Sequence, residues 1–426
     1  MLKGAAPVGR PFVVMRILLG IFAIVVCLFL MQVAARVGFS RLIARYALIA
    51  NSAPAADEAI RLSPSDPDAH RARAIVFTRL QNPAEAVKSL EAATSLRYRD
   101  DYLWIDLGNA REEIGDTSGA LAAMDQAVRW APHYAHTHWQ RGNVLLRIGR
   151  TAEAFEELRT AVAANGSYMP NMIDLAWGIS REDVEVTDKL LGITDDTERL
   201  ALIRYLASKG KGNEVRAQMR LLSSPLSKED KDEVVRLLFT AKAFNDAFDL
   251  WTPTINYRVP SIFNGDFEES KILNEPGFGG WVRSPGQGKI KMAIDVSEKS
   301  GGPKSLQLTF NGEWTPGTPL ISQTILVSPN TIYPVSFRIR TKELATGGPL
   351  MLTVNDADSG ELLGKSDHFP STDSWLTLTF EFTTLETSKA AVIRLQRSNC
   401  NSSPCPIFGT VWLDEISIGL SRDARQ

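Results

Sequence analysis

Residues 101–134 read DYLWIDLGNAREEIGDTSGALAAMDQAVRWAPHY, two helix-forming stretches that Gly115 separates and Pro132 ends. Glycine suits the left-handed end of a first helix, and proline stops a second one. This pattern recurs with a period of 34 residues, which predicts a repeated helical hairpin. Small residues at two of the recurring positions would let the paired helices approach closely. The recurring sets are Ala74, Gly108 and Gly142; Ala86, Ala120 and Ala154; Ala93, Ala127 and Ala161; and Leu90, Met124 and Leu158.

The repeated segment from Pro67 to Ala164 resembles tetratricopeptide repeats, and the resemblance is clearest in residues 101–134. The matching residues there are Trp104, Leu107, Gly108, Ala120, Ala127 and Pro132. Arg111 departs from the family pattern, which usually has an aromatic residue at that position. The helical texture extends over residues 36–251, for which we expect five or six hairpins, the first one degenerate and the last ones irregular.

Tetratricopeptide repeats form a curved solenoid, and the resemblance implies a groove lined by the first helix of each hairpin. The candidate partner-binding residues are Arg71, Ile105, Asn109, Trp139 and Asn143. Asn109 and Asn143 match an asparagine that often binds the peptide backbone in relatives, or else they are solvated or stabilise neighbouring repeats. Ile105 and Trp139 replace lysines that would clamp a terminal carboxylate.

An apolar segment precedes the repeats, and its core from Ile17 to Met31 has no polar interruption. Residues 12–35 are long enough to cross a bilayer, which takes about 20 residues. We therefore expect residues 1–35 to be a cytoplasmic stub and a transmembrane anchor. A cleaved signal peptide is the alternative, because Val33, Ala34 and Ala35 are small residues that follow the apolar core.

The sequence changes character near residue 252. Residues 252–260 contain two prolines and suit a linker. Residues 261–419 contain short alternating runs between turn residues, which predicts nine to ten strands in an all-β jelly-roll sandwich. Residues 420–426 are expected to be a tail. The predicted fold is therefore multidomain, with a transmembrane helix, an all-α solenoid and a C-terminal β-sandwich.

The β-rich segment resembles a carbohydrate-binding module of the cellulose- and xylan-binding type, with a galactose-binding-like fold. The resemblance rests on the opening FNGDFE at 263–268, Gly280 with Trp281, and the closing VWLDEISI at 411–418. It implies glycan binding. It also implies a structural calcium held by Asp266 or Glu268 together with Asp414. The alternative is that backbone donors hold these carboxylates.

Sugar binding needs flat aromatic side chains that pack against sugar rings. Trp314 is the leading candidate because it lies in a polar, turn-rich loop, although it could instead cap the core. Phe278, Tyr333 and His368 are the other candidate glycan-binding residues. Trp281, Trp375 and Trp412 match core positions of the relatives.

Cys400 and Cys405 enclose a short loop in which a disulfide is sterically feasible, with two free thiols as the alternative. A disulfide would indicate an oxidising compartment. Together with the glycan-binding resemblance, it predicts a bacterial cytoplasmic-membrane protein with most of its chain in the periplasm or outside the cell.

The overall composition excludes several functions. The net charge of −2 argues against nucleic-acid binding, and the mean hydropathy of −0.09 argues against several membrane spans. We find no phosphate-binding loop, nucleophile elbow or zinc-protease motif, so we expect no enzyme activity. The sequence predicts a membrane-anchored adaptor that binds a protein through its repeats and a glycan through its sandwich. The alternatives are a purely structural assembly factor or an accessory subunit in polysaccharide synthesis, export or hydrolysis.

Overall fold

The computed structural model describes residues 10–251, 262–269, 272, 277–284, 290–400, 404–419 and 422–423. The described residues form 14 α-helices, one 3₁₀ helix and 11 strands. They divide into two compact units, Met1–Ile193 and Thr194–Gln426. The predicted linker at 252–260 lies outside the described residues.

The first unit is helical, and its helices follow one another in antiparallel pairs. Pairs α3 with α4, α5 with α6, and α7 with α8 are the three clearest repeats, as the 34-residue period predicts. Counting α1 with α2 as a pair, the described chain contains seven helix pairs where five or six are expected. The helices are α1 Arg10–Ala50, α2 Ala53–Leu62, α3 Pro67–Arg79, α4 Pro83–Leu96, α5 Asp101–Glu113, α6 Thr117–Trp130, α7 Ala135–Arg147, α8 Thr151–Ala164, a 3₁₀ turn Gly166–Tyr168, α9 Met169–Ile179 and α10 Val184–Leu191.

Local chemistry fixes the ends of the repeat helices. The Asp116 carboxylate caps α6 by accepting a hydrogen bond from the Gly119 N–H at 2.9 Å. Gly115 ends the preceding hairpin turn with a φ of 79°, a conformation that favours glycine. A Cβ on Gly142 would lie 2.9 Å from the Leu158 side chain and 3.2 Å from the Ala154 carbonyl oxygen. The expected close approach of paired helices is therefore present.

Helix α1 is 41 residues long, or about 60 Å, which exceeds the roughly 30 Å hydrocarbon core of a bilayer. The part from Met15 onward has the length and hydropathy of a membrane span. An apolar stretch of 18 residues within it contains no buried residue. The last turns of α1 instead pack against the repeats. The Ser40 hydroxyl donates to the Ala59 carbonyl oxygen at 2.7 Å, and Ala47 is fully buried. One helix thus joins the apolar segment to the first hairpin.

The second unit begins with four helices, α11 Asp196–Ser208, α12 Gly212–Met219, α13 Lys228–Thr240 and α14 Phe244–Trp251. An aromatic cluster joins the last two of them to the sandwich. The Phe278 ring lies 5.2 Å from Phe239 and 5.1 Å from Phe248, edge to face, and Trp251 packs edge-on against Phe263 at 4.9 Å. These contacts tie α13 and α14 to the β-rich segment, which lies in the same compact unit as the four helices.

The sandwich consists of two antiparallel sheets. The five-stranded sheet has the order β1-β4-β9-β6-β7. The second sheet has the order β11-β5-β10-β3-β2, with β8 pairing with β5. Strand β11 lies within the segment predicted to be a tail. The strands are β1 Val282–Arg283, β2 Ile290–Asp295, β3 Ser305–Glu313, β4 Ile321–Leu326, β5 Thr331–Thr346, β6 Leu350–Asp356, β7 Leu362–Lys365, β8 Leu376–Thr383, β9 Ala390–Arg397, β10 Pro406–Ile418 and β11 Arg422–Asp423.

Alternating apolar residues of the two sheets meet in one core, as the strand pattern predicts. Trp281 is fully buried and donates its indole N–H to the Asn264 carbonyl oxygen at 3.0 Å. Trp412 is also buried, whereas Trp375 is only half-buried. The remaining core side chains come mainly from Leu306, Leu308, Phe310, Val335, Phe337, Leu352, Ile393 and Leu395.

Candidate binding sites

Two adjoining pockets lie along the first helices of the hairpins in the first unit. One, of about 280 Å³, is lined by residues of α3 to α5, including Thr78, Asp106 and Asn109. The other, of about 290 Å³, is lined by residues of α1 and α3, including Arg45 and Arg71. Ile75 lines both pockets. Together they form a groove with an apolar floor and charged sides.

An ion pair crosses this groove. Arg71 Nε donates to Asp106 Oδ2 at 2.7 Å, which links α3 to α5. Burial raises the pKa of Asp106, although the hydrogen bond from Arg71 opposes that shift. Asp106 is half-buried, so its carboxylate retains lone pairs that can accept further hydrogen bonds.

Of the residues that the sequence predicts at the groove, Asn109 and Arg71 line its pockets. The sequence places Ile105 wrongly. Ile105 is 3% exposed and packs in the core with Met124 and Val144. The neighbouring residue, Asp106, faces the groove instead. On a half-buried helix, an isoleucine is expected to face the core and an adjacent aspartate to face solvent. This contrast in the sequence favours Asp106 over Ile105 as the groove residue.

The other two predicted groove residues lie farther along the repeats. Asn143 is half-buried on α7. Trp139 is also half-buried, and its ring stacks on Tyr168 with a centroid distance of 4.8 Å. One face of the Trp139 ring therefore packs against the 3₁₀ turn Gly166–Tyr168.

Three of the four predicted glycan-binding aromatics are buried. Trp314 is 5% exposed, belongs to the sandwich core and donates its indole N–H to the Thr318 carbonyl oxygen at 3.0 Å. Tyr333 is 1% exposed, and Phe278 is enclosed by the aromatic cluster of α13 and α14. Because a ring must be exposed to stack on a sugar, the expectation that these three side chains face solvent is wrong. His368 is exposed.

The outer face of the five-stranded sheet is polar at its centre. Arg394 lies on the central strand β9, directly between Ser322 of β4 and Thr353 of β6. Lys365 of β7 extends the same row. Arg394 is half-buried, and burial lowers the pKa of its guanidinium. This row was not predicted, although strand alternation around Ile393 and Leu395 indicates that Arg394 points away from the core.

The residues expected to hold calcium are placed near one loop, but they do not fit the ion. Asp414 is fully buried and accepts hydrogen bonds from the N–H groups of Ser300 at 3.0 Å and Glu415 at 2.8 Å. Burial raises its pKa. Glu268 accepts from the Lys304 N–H, and the Lys304 ammonium donates to the Glu268 carbonyl oxygen. Calcium needs oxygen ligands, whereas these neighbours are donors.

Asp266 accepts a long hydrogen bond from the Glu268 N–H, at 3.4 Å. Within the described ranges, no group of three or more His, Cys, Asp or Glu side chains is placed to hold a metal ion. Backbone N–H donors hold the Asp414 carboxylate, and we derive no role from calcium.

Cys400 and Cys405 are joined in a disulfide, with their Cα atoms 6.2 Å apart. Arg397 lies beside it, 1% exposed, and donates to the Cys405 carbonyl oxygen at 3.0 Å. Burial lowers the pKa of this guanidinium. A buried cation surrounded by carbonyl oxygens fastens the disulfide loop to the core.

Two protein families match separate parts of the chain. Residues 49–99 and 105–170 match the tetratricopeptide repeat, and residues 259–402 match a family described as a carbohydrate binding domain. A curated relative, Protein FlbA of Caulobacter vibrioides, is 27% identical over 104 residues. That match covers 24% of this chain and only 17% of FlbA.

Solved structures with weak similarity also match parts of the chain. One described as "CBM4 structure and function" has 17% identity and a TM-score of 0.29, covering 37% of this chain and 99% of that one. MamA, residues 41 to the end, from Desulfovibrio magneticus RS-1 has 17% identity and a TM-score of 0.32, covering 37% of this chain and 92% of that one. By the family models, the chain is thus similar to the tetratricopeptide repeat over residues 49–99 and 105–170 and to a carbohydrate binding domain over residues 259–402.

Proposed function

We propose that this protein is a non-catalytic, membrane-anchored adaptor that binds a protein through its repeats and an envelope glycan through its sandwich. Both matched families are binding modules, which supports protein interaction and carbohydrate binding as the general functions. The observation that carries the proposal is the presence of both modules on one chain that begins with an apolar helix.

The groove of the first unit is the protein-binding site in this proposal. Its support is the apolar floor at Ile75 between the two pockets and the polar side chains of Asp106 and Asn109. A peptide backbone could hydrogen-bond to these side chains while its apolar residues pack on the floor.

Crosslinking in cells tests this site. A photo-crosslinking residue at Thr78 should capture a defined protein, and Asn109→Ala should reduce that yield. The same crosslinker at Ser95, an exposed residue of α4, is the matched control. Equal capture from both positions would contradict a specific groove.

The sandwich is the glycan-binding site. The full chain in detergent should be retarded in native gels that contain a bacterial envelope polysaccharide, and unretarded in gels without it. If no polysaccharide retards it, the purely structural assembly role is favoured. If retardation requires a copurified enzyme, the accessory-subunit role in polysaccharide synthesis, export or hydrolysis is favoured.

The proposed topology places the sandwich in the periplasm or outside the cell. Support comes from the Cys400–Cys405 disulfide, which persists in oxidising compartments, and from the exposed apolar surface of α1. Alkaline phosphatase fused after residue 419 should be active, and the same fusion lacking residues 1–35 should be inactive. A processed N-terminus near residue 36 would instead indicate a signal peptide.

A further inference from the structure

The centre of the five-stranded sheet carries a cation that no described residue neutralises. Arg394 makes no hydrogen bond or ion pair within the part of the chain that the structure describes, although it is half-buried. Most other half-buried arginines of this protein have acidic partners, as Arg338 has Glu415. Holding a guanidinium partly away from water without a partner costs free energy, so such a group points to an absent ligand.

Two further polar atoms beside Arg394 lack partners. Thr353 is 1% exposed, and its hydroxyl oxygen has no hydrogen bond within the described chain. The carbonyl oxygen of the Asn355 side chain is also buried without a partner, while its amide donates to Gly360 at 3.1 Å. Thr353 pairs with Arg394 across the strands, and Asn355 pairs with Val392. The unsatisfied atoms therefore lie on the same face as the free guanidinium.

The charge of this face is positive. The strands β1, β4, β6, β7 and β9 contain one acidic residue, Asp356, which is 2% exposed and accepts from the Ser388 hydroxyl on the inner side. Arg394 and Lys365 remain on the outer side, in one row across β9, β6 and β7. A guanidinium binds a carboxylate through two parallel hydrogen bonds.

We propose that the outer face of the five-stranded sheet binds an acidic polysaccharide, with Arg394 holding the carboxylate of a uronic acid residue. Lys365, which is exposed in the same row, then attracts a neighbouring carboxylate. This inference rests on the proposed glycan-binding function and specifies the chemical class of its ligand.

Calorimetric titration of the full chain in detergent at 150 mM salt tests the inference, with polygalacturonate as the acidic probe. Arg394→Gln should raise Kd for polygalacturonate at least about tenfold, because it removes a charge-assisted double hydrogen bond. Lys365→Gln should weaken binding severalfold, because it removes the second cation of the row. Lys291→Gln, which removes one exposed cation from the other sheet, should leave Kd unchanged. An unchanged melting temperature of each variant excludes misfolding as the cause.

The neutral glycans xylan and laminarin and the sulfated polymer dextran sulfate separate the remaining outcomes. Binding to a neutral glycan but not to polygalacturonate overturns the acidic-ligand inference and leaves the proposed function standing. Equal binding of dextran sulfate, or equal losses in Arg394→Gln and Lys291→Gln, shows unspecific charge attraction and also overturns the inference. Binding to none of the polymers overturns both the inference and the glycan part of the proposed function.

Discussion

Arg397 donates a hydrogen bond from Nη1 to the carbonyl oxygen of Trp314 at 2.5 Å, across 83 positions of sequence. The same guanidinium donates to the carbonyl oxygens of Gly348 at 3.1 Å and Cys405 at 3.0 Å, and to the Thr346 hydroxyl at 2.8 Å. One buried side chain thus ties together four segments at one end of the sandwich. No carboxylate is among these partners, so neutral carbonyl and hydroxyl dipoles compensate the charge.

Replacing Arg397 by methionine should destabilise the sandwich strongly. The change leaves several buried carbonyl oxygens without donors, at about 1–3 kcal/mol for each that water cannot reach. We expect a loss of roughly 3 kcal/mol or more in the free energy of unfolding of the sandwich. Arg394→Met on the outer face of the same strand is the matched control and should cost less than about 1 kcal/mol. Calorimetry of the full chain should separate the two variants, and equal losses would contradict the role given to Arg397.

Reducing the Cys400–Cys405 disulfide should destabilise the same end of the sandwich. The bond closes a loop with a sequence separation of 5, and chain-entropy arguments give such a loop about 2 kcal/mol. Dithiothreitol should therefore lower the melting temperature of the wild type. It should not affect a variant with both cysteines changed to serine, although Cys27 remains in that variant. An identical effect of reductant on both proteins would rule out this explanation.

In the sandwich, the alternation of residues along a strand predicts which side chains point into the core. Leu306, Leu308 and Phe310 point inward on β3, and continuing the same alternation places Trp314 inward as well. The polar, turn-rich residues around Trp314 instead favour a loop, whereas in the structure β3 continues to Glu313, next to Trp314. Arg397 is harder to predict, since nothing in the sequence says that distant carbonyl oxygens will surround an inward-facing arginine.

The repeats were more predictable because their period fixes both the helices and the close contacts between them. Which residues face the groove depends on how each helix is rotated about its own axis. A repeat period of 34 residues does not determine that rotation. Ile105 and Asp106 differ by that one position, and the apolar one enters the core. Phe278 could not be placed from the sequence, because its partners Phe239 and Phe248 lie in helices assigned to another domain.

Gly142 should tolerate no larger residue. A valine there would enter space held by Leu158 and the Ala154 carbonyl oxygen, and such overpacking costs about 1–3 kcal/mol. Gly178→Ala in α9 is the control, because a Cβ at that position meets nothing within 4 Å. It should be neutral or stabilise by up to about 1 kcal/mol, the difference in helix propensity. Thermal unfolding followed by circular dichroism gives both values, and similar effects of the two changes would contradict close helix packing at Gly142.

Asp295 should make the sandwich sensitive to acid. Burial alone would raise its pKa, but hydrogen bonds from the Ser297 hydroxyl and the Trp412 indole outweigh burial and lower the pKa to about 2. A lowered folded pKa stabilises the protein above the ordinary value of 3.8, and this contribution is lost as the pH falls toward 2. Asp295→Asn should therefore lower the melting temperature at pH 7 and flatten its fall below pH 4. Glu386→Gln, at an exposed turn, should leave both unchanged. A wild-type slope retained in Asp295→Asn would assign the acid sensitivity to other groups.

Calcium should not change the stability of the sandwich, because the position where the ion would have to bind is filled with hydrogen-bond donors. The N–H groups of Ser300 and Glu415 point at Asp414, and the ammonium of Lys304 donates to the Glu268 carbonyl oxygen. A bound cation would have to displace that ammonium and turn the loop so that carbonyl oxygens replace the N–H groups. We therefore expect equal melting temperatures of the full chain in excess EGTA and in millimolar calcium. Asp414→Asn should lower both equally, since the buried amide cannot accept both N–H groups as the carboxylate does. A calcium-dependent rise in the wild type that Asp414→Asn abolishes would contradict this expectation and establish a metal site at the end of β10.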